Sequence, residues 1–309
     1  MNNLVTTGPT ELGHELRAQI RRTAQNSRAR RALISRLMIT LSIGALVLAA
    51  VPLVLLVYQV IKNGVPVLSS AFFTTLPQTP NLITPTVTGG VSNAIIGTLA
   101  LNLYAGVMAV PVGVLTGIYV AENNTKLASL LRIIAQTMSG APSIMMGLFA
   151  FTLLVRDFNL GFSAIAGSFA LAVLMLPVII IATEISVRNV PQSLREAGLA
   201  LGAKEHQVSL KVVLPAALTG IVTGTILALS RAIGETAPVL LTIGGGFINA
   251  WQPLHPVSAL PLMVYINSKS EWPAQRAQVW GIALVLIAFI FVVSLSARIW
   301  ASRKQKVNH

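Results

Sequence analysis

Apolar residues run along this chain in long unbroken blocks. No charged residue occurs in 37–61, 133–155, 158–183 or 277–297. Each block exceeds the ~18 apolar residues that mark a membrane span. A fifth block lies between Gly90 and Ala121, and a sixth, 212–246, is interrupted only by Arg231 and Glu235. Barrel strands would alternate in segments of about ten residues instead. The pattern therefore predicts an all-α polytopic membrane protein with about six transmembrane helices.

Composition agrees. Of 309 residues 54% are hydrophobic and 10% charged, and the mean hydropathy is +0.75. Soluble domains carry about 25% charged residues, so this chain has too little polar surface to stay dissolved. The first block is too long for a signal-peptide core and no small-residue cleavage site follows it, so it reads as a retained span. The chain has no cysteine, which excludes disulfides and thiolate metal sites.

A net charge of +13 would suit a nucleic-acid binder, but its distribution points to the lipid bilayer. With six spans, one side holds Arg17, Arg21, Arg22, Arg28, Arg30, Arg31, Arg36, Lys126, Arg132, Arg188, Arg195, Lys204, Lys211, Arg298, Arg303, Lys304 and Lys306. The other side holds Lys62, Arg156, Lys269 and Arg276. Seventeen against four is a strong positive-inside bias, which predicts that both termini are cytoplasmic and that no nucleic acid is bound. The N-terminal arm, residues 1–36, is expected to be a solvated topology signal; a basic helix on the anionic inner leaflet is the alternative.

The outer loops differ in kind. Residues 62–90 are rich in Thr, Pro and Gly, which predicts an ordered loop or a short interfacial helix and not a seventh span. Residues 246–276 carry Trp251 and Trp272, suited to the membrane interface.

The long inner loop, 184–211, is the most specific stretch. Pro191 fits a first helical turn, and Ser193 with Glu196 has capping-box spacing. Leu194, Ala197 and Leu201 share a face at i, i+3, i+7. Gly202 interrupts, and a second short helix carries Val208 and Val212 towards Pro215. Glu196-Ala197-Gly198, three residues, Gly202, nine residues, Val212, one residue, Leu214-Pro215 resembles the EAA loop of ABC-transporter permeases. Gly198 stands where that pattern has its second alanine and Val212 where it has isoleucine.

The likeness extends further. SNAIIGTLALNLYAGVMAVPVGVLTGIYVAE, SGAPSIMMGLFAF and LSRAIGETAPVLLTIGG are similar to the phosphate-specific permeases, and the proline after GETA favours their A-type subunit. The resemblance implies the type I ABC importer permease fold, with a permease core at 91–300 and a cytoplasmic tail at 301–309. It implies residence in the bacterial cytoplasmic membrane. It further implies a homologous C-type permease subunit, a cytoplasmic ATPase dimer and an extracytoplasmic phosphate-binding protein as partners. Glu196, Ala197, Gly198, Gly202, Leu214 and Pro215 would then form the coupling segment that docks on the ATPase. This chain lacks the GxxxxGK[ST] phosphate loop, so no cofactor is expected on it directly and ATP with Mg would be used by the ATPase partner. His14, His206, His255 and His309 are scattered without ligand spacing.

Arg231 and Glu235 remain to be accounted for. A charge at mid-membrane costs about 2.5–3.5 kcal/mol, so the pair costs roughly 5–7. The large aliphatic residues between 221 and 243 offset on the order of 3–6 kcal/mol. The segment is marginal alone and must face a bundle interior. At i, i+4 the two charges are expected to share a helix face and pair. A buried bridge that only fixes packing is one reading. The other is that they line a substrate path, with the planar arginine donors suited to phosphate oxygens, a role the resemblance also implies. Rival functions are a permease of the same fold for phosphonate or molybdate, and a stand-alone secondary transporter or channel. Gly220 and Gly224, and Gly113 and Gly117, have the spacing of close helix contacts.

Overall fold

A computed structural model describes residues 9–86, 88–246 and 251–307. Of the expected segments, residues 1–8 of the arm, Val87 of the first outer loop, Phe247–Ala250 of the second outer loop and the last two residues of the tail lie outside the described residues. The described elements are helical, with only two isolated bridges, Pro77 to Gly89 and Gly244 to Val257. Five helical segments are long and apolar enough to cross a membrane, or six if one bent pair counts as a span.

The chain divides into two compact units between Gln59 and Val60. The described part of the first unit belongs to helix α1, Pro9–Gly64. From Leu37 to Leu56 its large aliphatic side chains are exposed, Leu48 by 76%, as befits a rod facing lipid tails. Residues 9–36, for which a solvated segment is the expectation, continue the same helix.

The second unit opens with a short 3-10 turn at Val65–Val67 and α2, Ser70–Thr74, capped by the Ser69 hydroxyl. Short helices thus occur within 62–90, where an ordered loop or a short interfacial helix is the expectation. The bundle then comprises α3 (Ser92–Glu122), α4 (Lys126–Ser139), α5 (Ser143–Ala150), α6 (Ala164–Arg188), α7 (Gln192–Ala200), α8 (Glu205–Val208), α9 (Leu214–Ile233), α10 (Ala237–Thr242), α11 (Leu260–Ser268) and α12 (Pro273–Val307). A π-helical stretch, Phe151–Asp157, prolongs α5, and another, Ser209–Val213, joins α8 to α9.

Helix α6 is the centre. Its most apolar window is 61% buried, against 28% for the spans containing α3 and α9 and 11% for α12. Lipid tails are as apolar as leucine, so helices associate through close packing and not through hydrophobic exclusion. Glycine supplies that closeness on both flanks of α6. A Cβ at Gly113 would stand 2.8 Å from Ile179, and one at Gly117 would stand 2.5 Å from Thr183. On the other flank a Cβ at Gly224 would lie 2.2 Å from Ala182 and one at Gly220 would lie 2.4 Å from the Ser186 hydroxyl. Met175 and Ile179 of α6 thereby close a core with Leu101, Ala105 and Ala109 of α3 and Ala228 and Ala232 of α9.

Two expected spans are not single rods. The block 133–155 breaks at Gly140-Ala141-Pro142, where α4 and α5 turn through 108°. Pro142 has no N–H to continue the ladder and drives the residue before it out of helical geometry. The block 212–246 breaks after Ile233, and α10 begins at Ala237 with Pro238 in its first turn. Gly234 faces Ile290, and the Ser230 and Ser294 hydroxyls meet at 3.0 Å. The break therefore lies beside the middle of α12. The two half-helices α5 and α10 pack directly, a Cβ at Gly147 falling 2.6 Å from the Pro238 Cα. The block 158–183 also starts its helix later than its composition indicates. Asn159 and Gly161 take left-handed conformations before Ser163 caps α6.

Gly224→Val is expected to destabilise the folded bundle by about 1–3 kcal/mol through overpacking, read as a lower thermal midpoint in detergent. Gly44→Val, with nothing within 4 Å of the new Cβ, is expected to leave the midpoint unchanged, and Ala182→Gly to restore part of the loss in the Gly224→Val background.

Candidate functional site

The broken span carries the first candidate. Arg231 occupies the last turn of α9, and Glu235 lies beyond its end between Gly234 and Thr236. They do not share a helix face, contrary to the i, i+4 expectation, because Gly234 ends the helix and the Glu235 N–H turns back to the Ala232 carbonyl at 3.2 Å. The charges still approach, Arg231 Nε to Glu235 Oε1 at 3.6 Å, with side-chain exposures of 50% and 17%. That distance is an ion pair without a hydrogen bond. Among the described residues the Arg231 guanidinium has no hydrogen-bond acceptor at all. Its fork of N–H donors is uncommitted at a break alongside the middle of α12.

The inner loop carries the second. Helix α6 runs on to Arg188, so the loop proper is shorter than 184–211. The expected Ser193–Glu196 capping box is absent. Pro191 is the N-cap, no side chain caps the helix, and the first bond runs from the Leu194 N–H to the Pro191 carbonyl. Gly198 is the buried residue of α7, set against Val208 of α8; a Cβ there would be 3.0 Å from Val208 Cγ2. Gly202 turns the chain with φ +80° in open space, a conformation glycine adopts without a Cβ penalty. Glu196 and Ala197 are exposed. So is the apolar face expected at 194, 197 and 201, with Leu194 43% and Leu201 89% accessible. Leu214 and Pro215 lie where the π-helical stretch passes into α9. From Pro215 to Arg231 the helix rises about 24 Å, so the two sets of residues are brought to opposite ends of one rod and not to one site. Among the described residues no group of three His, Asp or Glu side chains could hold a metal ion.

A third cluster is invisible in the reading of basic residues as orientation signals alone. Glu184, buried near the end of α6, pairs with Arg132 of α4 at 2.7 Å and with Arg188 at 3.0 Å. Both arginines also donate to the Val120 carbonyl in the last turn of α3, at 3.1 and 3.3 Å. Arg195 of α7 pairs with Glu122 of α3 at 2.7 Å and donates to the Val187 carbonyl at 3.0 Å. Cations are favoured at a helix C-terminus, where unpaired carbonyls sum to a partial negative charge. The available signal was the scarcity of acids. Only nine occur in the chain, and two of them sit at span ends among arginines.

Residues 109–306 match the family model of binding-protein-dependent transport system inner membrane components. The phosphate transport system permease protein PstA of Yersinia pestis is 33% identical over 273 residues, 88% of this chain and 91% of that protein. The protein of the same name from Xylella fastidiosa is 34% identical over 287 residues, 92% of this chain and 98% of that one. Among solved structures, an inward-facing MetNI methionine ABC transporter shares the fold. Its TM-score is 0.53 at 22% identity, over 69% of this chain and 94% of that chain.

Glu184→Ala would leave Arg132 and Arg188 without their shared carboxylate and is expected to cost about 3 kcal/mol of stability. Arg156→Ala, whose partner Asp157 is 3.8 Å away with both side chains mostly exposed, is expected to change the thermal midpoint imperceptibly.

Proposed function

The chain belongs to the binding-protein-dependent transport system inner membrane components, and among them to the phosphate transport permeases; from that premise we propose that it forms half of the pore of an ATP-driven phosphate importer. A homologous C-type subunit supplies the other half. A phosphate-binding protein delivers substrate at the outer face, and an ATPase dimer docks at the cytoplasmic face, where both termini of this chain lie. The reaction on ATP and Mg is the ATPase partner's; this chain binds, passes and releases the anion.

The single observation that carries the reading is the uncommitted arginine. A half-exposed guanidinium beside the middle of a spanning helix, with no hydrogen-bond acceptor from the described residues, is costly in a membrane unless water or a ligand completes it. Its planar fork matches two oxygens of a phosphate. Glu235, at 3.6 Å, neutralises the charge when no anion is present and weakens anion binding enough to permit release. The break at 234–236 supplies a place where the half-helix α10 can shift against α5. The exposed apolar face of α7 around Glu196, Ala197 and Leu201 is the surface offered to the ATPase, with Gly198 and Gly202 shaping it. From there α9, entered at Leu214 and Pro215, leads to Arg231. Alternating access follows: ATP-driven closure of the ATPase dimer opens the pore outward, and hydrolysis returns it inward.

Reconstituted vesicles holding the four subunit types are expected to accumulate radiolabelled phosphate only with ATP. Unlabelled phosphate should compete, whereas excess phosphonate or molybdate should not; competition by either in preference to phosphate would assign another oxyanion, and uptake without an ATPase would assign a stand-alone transporter. Arg231→Ala is expected to lower uptake by at least about 30-fold with assembly intact, and normal uptake by that variant would leave the pair a packing feature. Leu201→Asp is expected to reduce co-purification of the ATPase while Arg231→Ala does not.

A further inference from the structure

Three arginines from three different elements converge on one helix end. Arg132 comes from α4, Arg188 from the last turn of α6, and Arg195 from α7, and each bonds to α3 at Val120 or Glu122. The Arg195 bridge differs from the other two in what it joins. Arg132 and Arg188 tie the ends of spans to one another. Arg195 belongs to the short helix that projects beyond the spans. One of its nitrogens reaches a carboxylate of α3 and another the Val187 carbonyl of α6.

The rest of α7's anchorage is softer. Downstream, it meets α8 through the apolar contact of Gly198 with Val208 and through Gly202, which turns in open space. An apolar contact and a glycine turn permit sliding and rotation. Charge-assisted hydrogen bonds fix distance and direction together. The two side chains of the pair are 21% and 22% exposed, so water screens them little compared with an open surface pair, and they belong to a network and not to an isolated contact. Coupling between distant sites is carried by such hydrogen-bond networks joined to rigid elements.

We propose that Glu122 and Arg195 are positioning residues that make α7 one rigid piece with the ends of α3 and α6. A displacement of α7 is thereby delivered to α3 and α6 as a body, and not along α9 alone. The proposal rests on the reading of α7 as the segment on which the ATPase acts. It assigns the transmission step to a carboxylate outside the docking face.

The test uses the complete complex in vesicles, with ATP hydrolysis and radiolabelled phosphate uptake measured on the same preparation. Glu122→Gln is expected to lower uptake by about ten-fold while hydrolysis and ATPase co-purification stay within about two-fold of the wild type. Glu122→Arg alone should be at least as impaired, and the exchange Glu122→Arg with Arg195→Glu should return uptake to within about three-fold of the wild type. A merely stabilising contact would change yield and thermal midpoint but not the ratio of phosphate moved to ATP consumed. Unchanged uptake in Glu122→Gln overturns the proposal, as does an assembled exchange variant that hydrolyses ATP without regaining uptake. Where Glu122→Gln fails to accumulate, the exchange variant, which keeps both charges, decides alone. A wild-type complex that moves no phosphate would instead sink the functional reading itself, a result distinct from failure of the pair.

Discussion

Backbone contact between helices is the constraint from which the rest of the bundle follows. Within a membrane no hydrophobic exclusion drives one apolar helix against another, so cohesion comes from the surface brought within van der Waals range. Helix α6 obtains it twice, from Gly113 and Gly117 of α3 on one flank and from Gly220 and Gly224 of α9 on the other, at distances where any Cβ would collide. A helix gripped in this way has no room to turn or slide independently. Under the proposed function, movement would fall instead to places where the helices are already interrupted, Gly140-Ala141-Pro142 and Gly234-Glu235-Thr236. The half-helices those breaks create, α5 and α10, rest on each other at Gly147 and Pro238.

The placement of charge follows the same division. At the end where α3 and α6 finish, every arginine described there is matched by a carboxylate or a helix-terminal carbonyl at hydrogen-bond range. Those contacts tie the ends of α3 and α6 to α4 and α7. At the interrupted end of α9 the opposite holds: Arg231 has only a carboxylate at 3.6 Å, and half of its side chain is accessible. One charge at such depth costs about 2.5–3.5 kcal/mol, a cost that a passing anion would offset only while bound. Under the proposed function that asymmetry matters, because a fully paired arginine would have nothing left to offer a substrate.

The apolar blocks make the helical class legible and the crossings countable to five or six, because the length of a charge-free run is set by bilayer thickness. They did not show where a run changes direction, since a broken span and a straight one have the same hydropathy. The signals for the breaks were local and modest: Gly140 two residues before Pro142, and Gly234 with Pro238 close behind. Spacing correctly singled out Gly113, Gly117, Gly220 and Gly224 as contact residues. It misleads at Arg231 and Glu235, where an i, i+4 interval suggests one helix face but Gly234 ends the helix between them. Arg132, Arg188 and Arg195 were hidden by their usefulness as orientation markers. Glu184 and Arg188 are one turn apart on α6, but Glu122 and Arg195 lie 73 residues apart and Glu184 and Arg132 52 apart, and these meet only because α4 and α7 pack where α3 and α6 end together.

On the proposed transmission route, α7 moves with the ends of α3 and α6 as one body while the interrupted spans change shape. Because the chain contains no cysteine, spin labels can be placed without altering any other position. Asn124→Cys, just beyond α3, and Gln192→Cys, at the start of α7, would carry a nitroxide pair in the full complex. The most direct measurement is the electron–electron dipolar distance between them, without nucleotide and with ATP. One narrow distance, the same in both states, is the result this account predicts; a shift of about 5 Å, the rise of one helical turn, on adding ATP would contradict it.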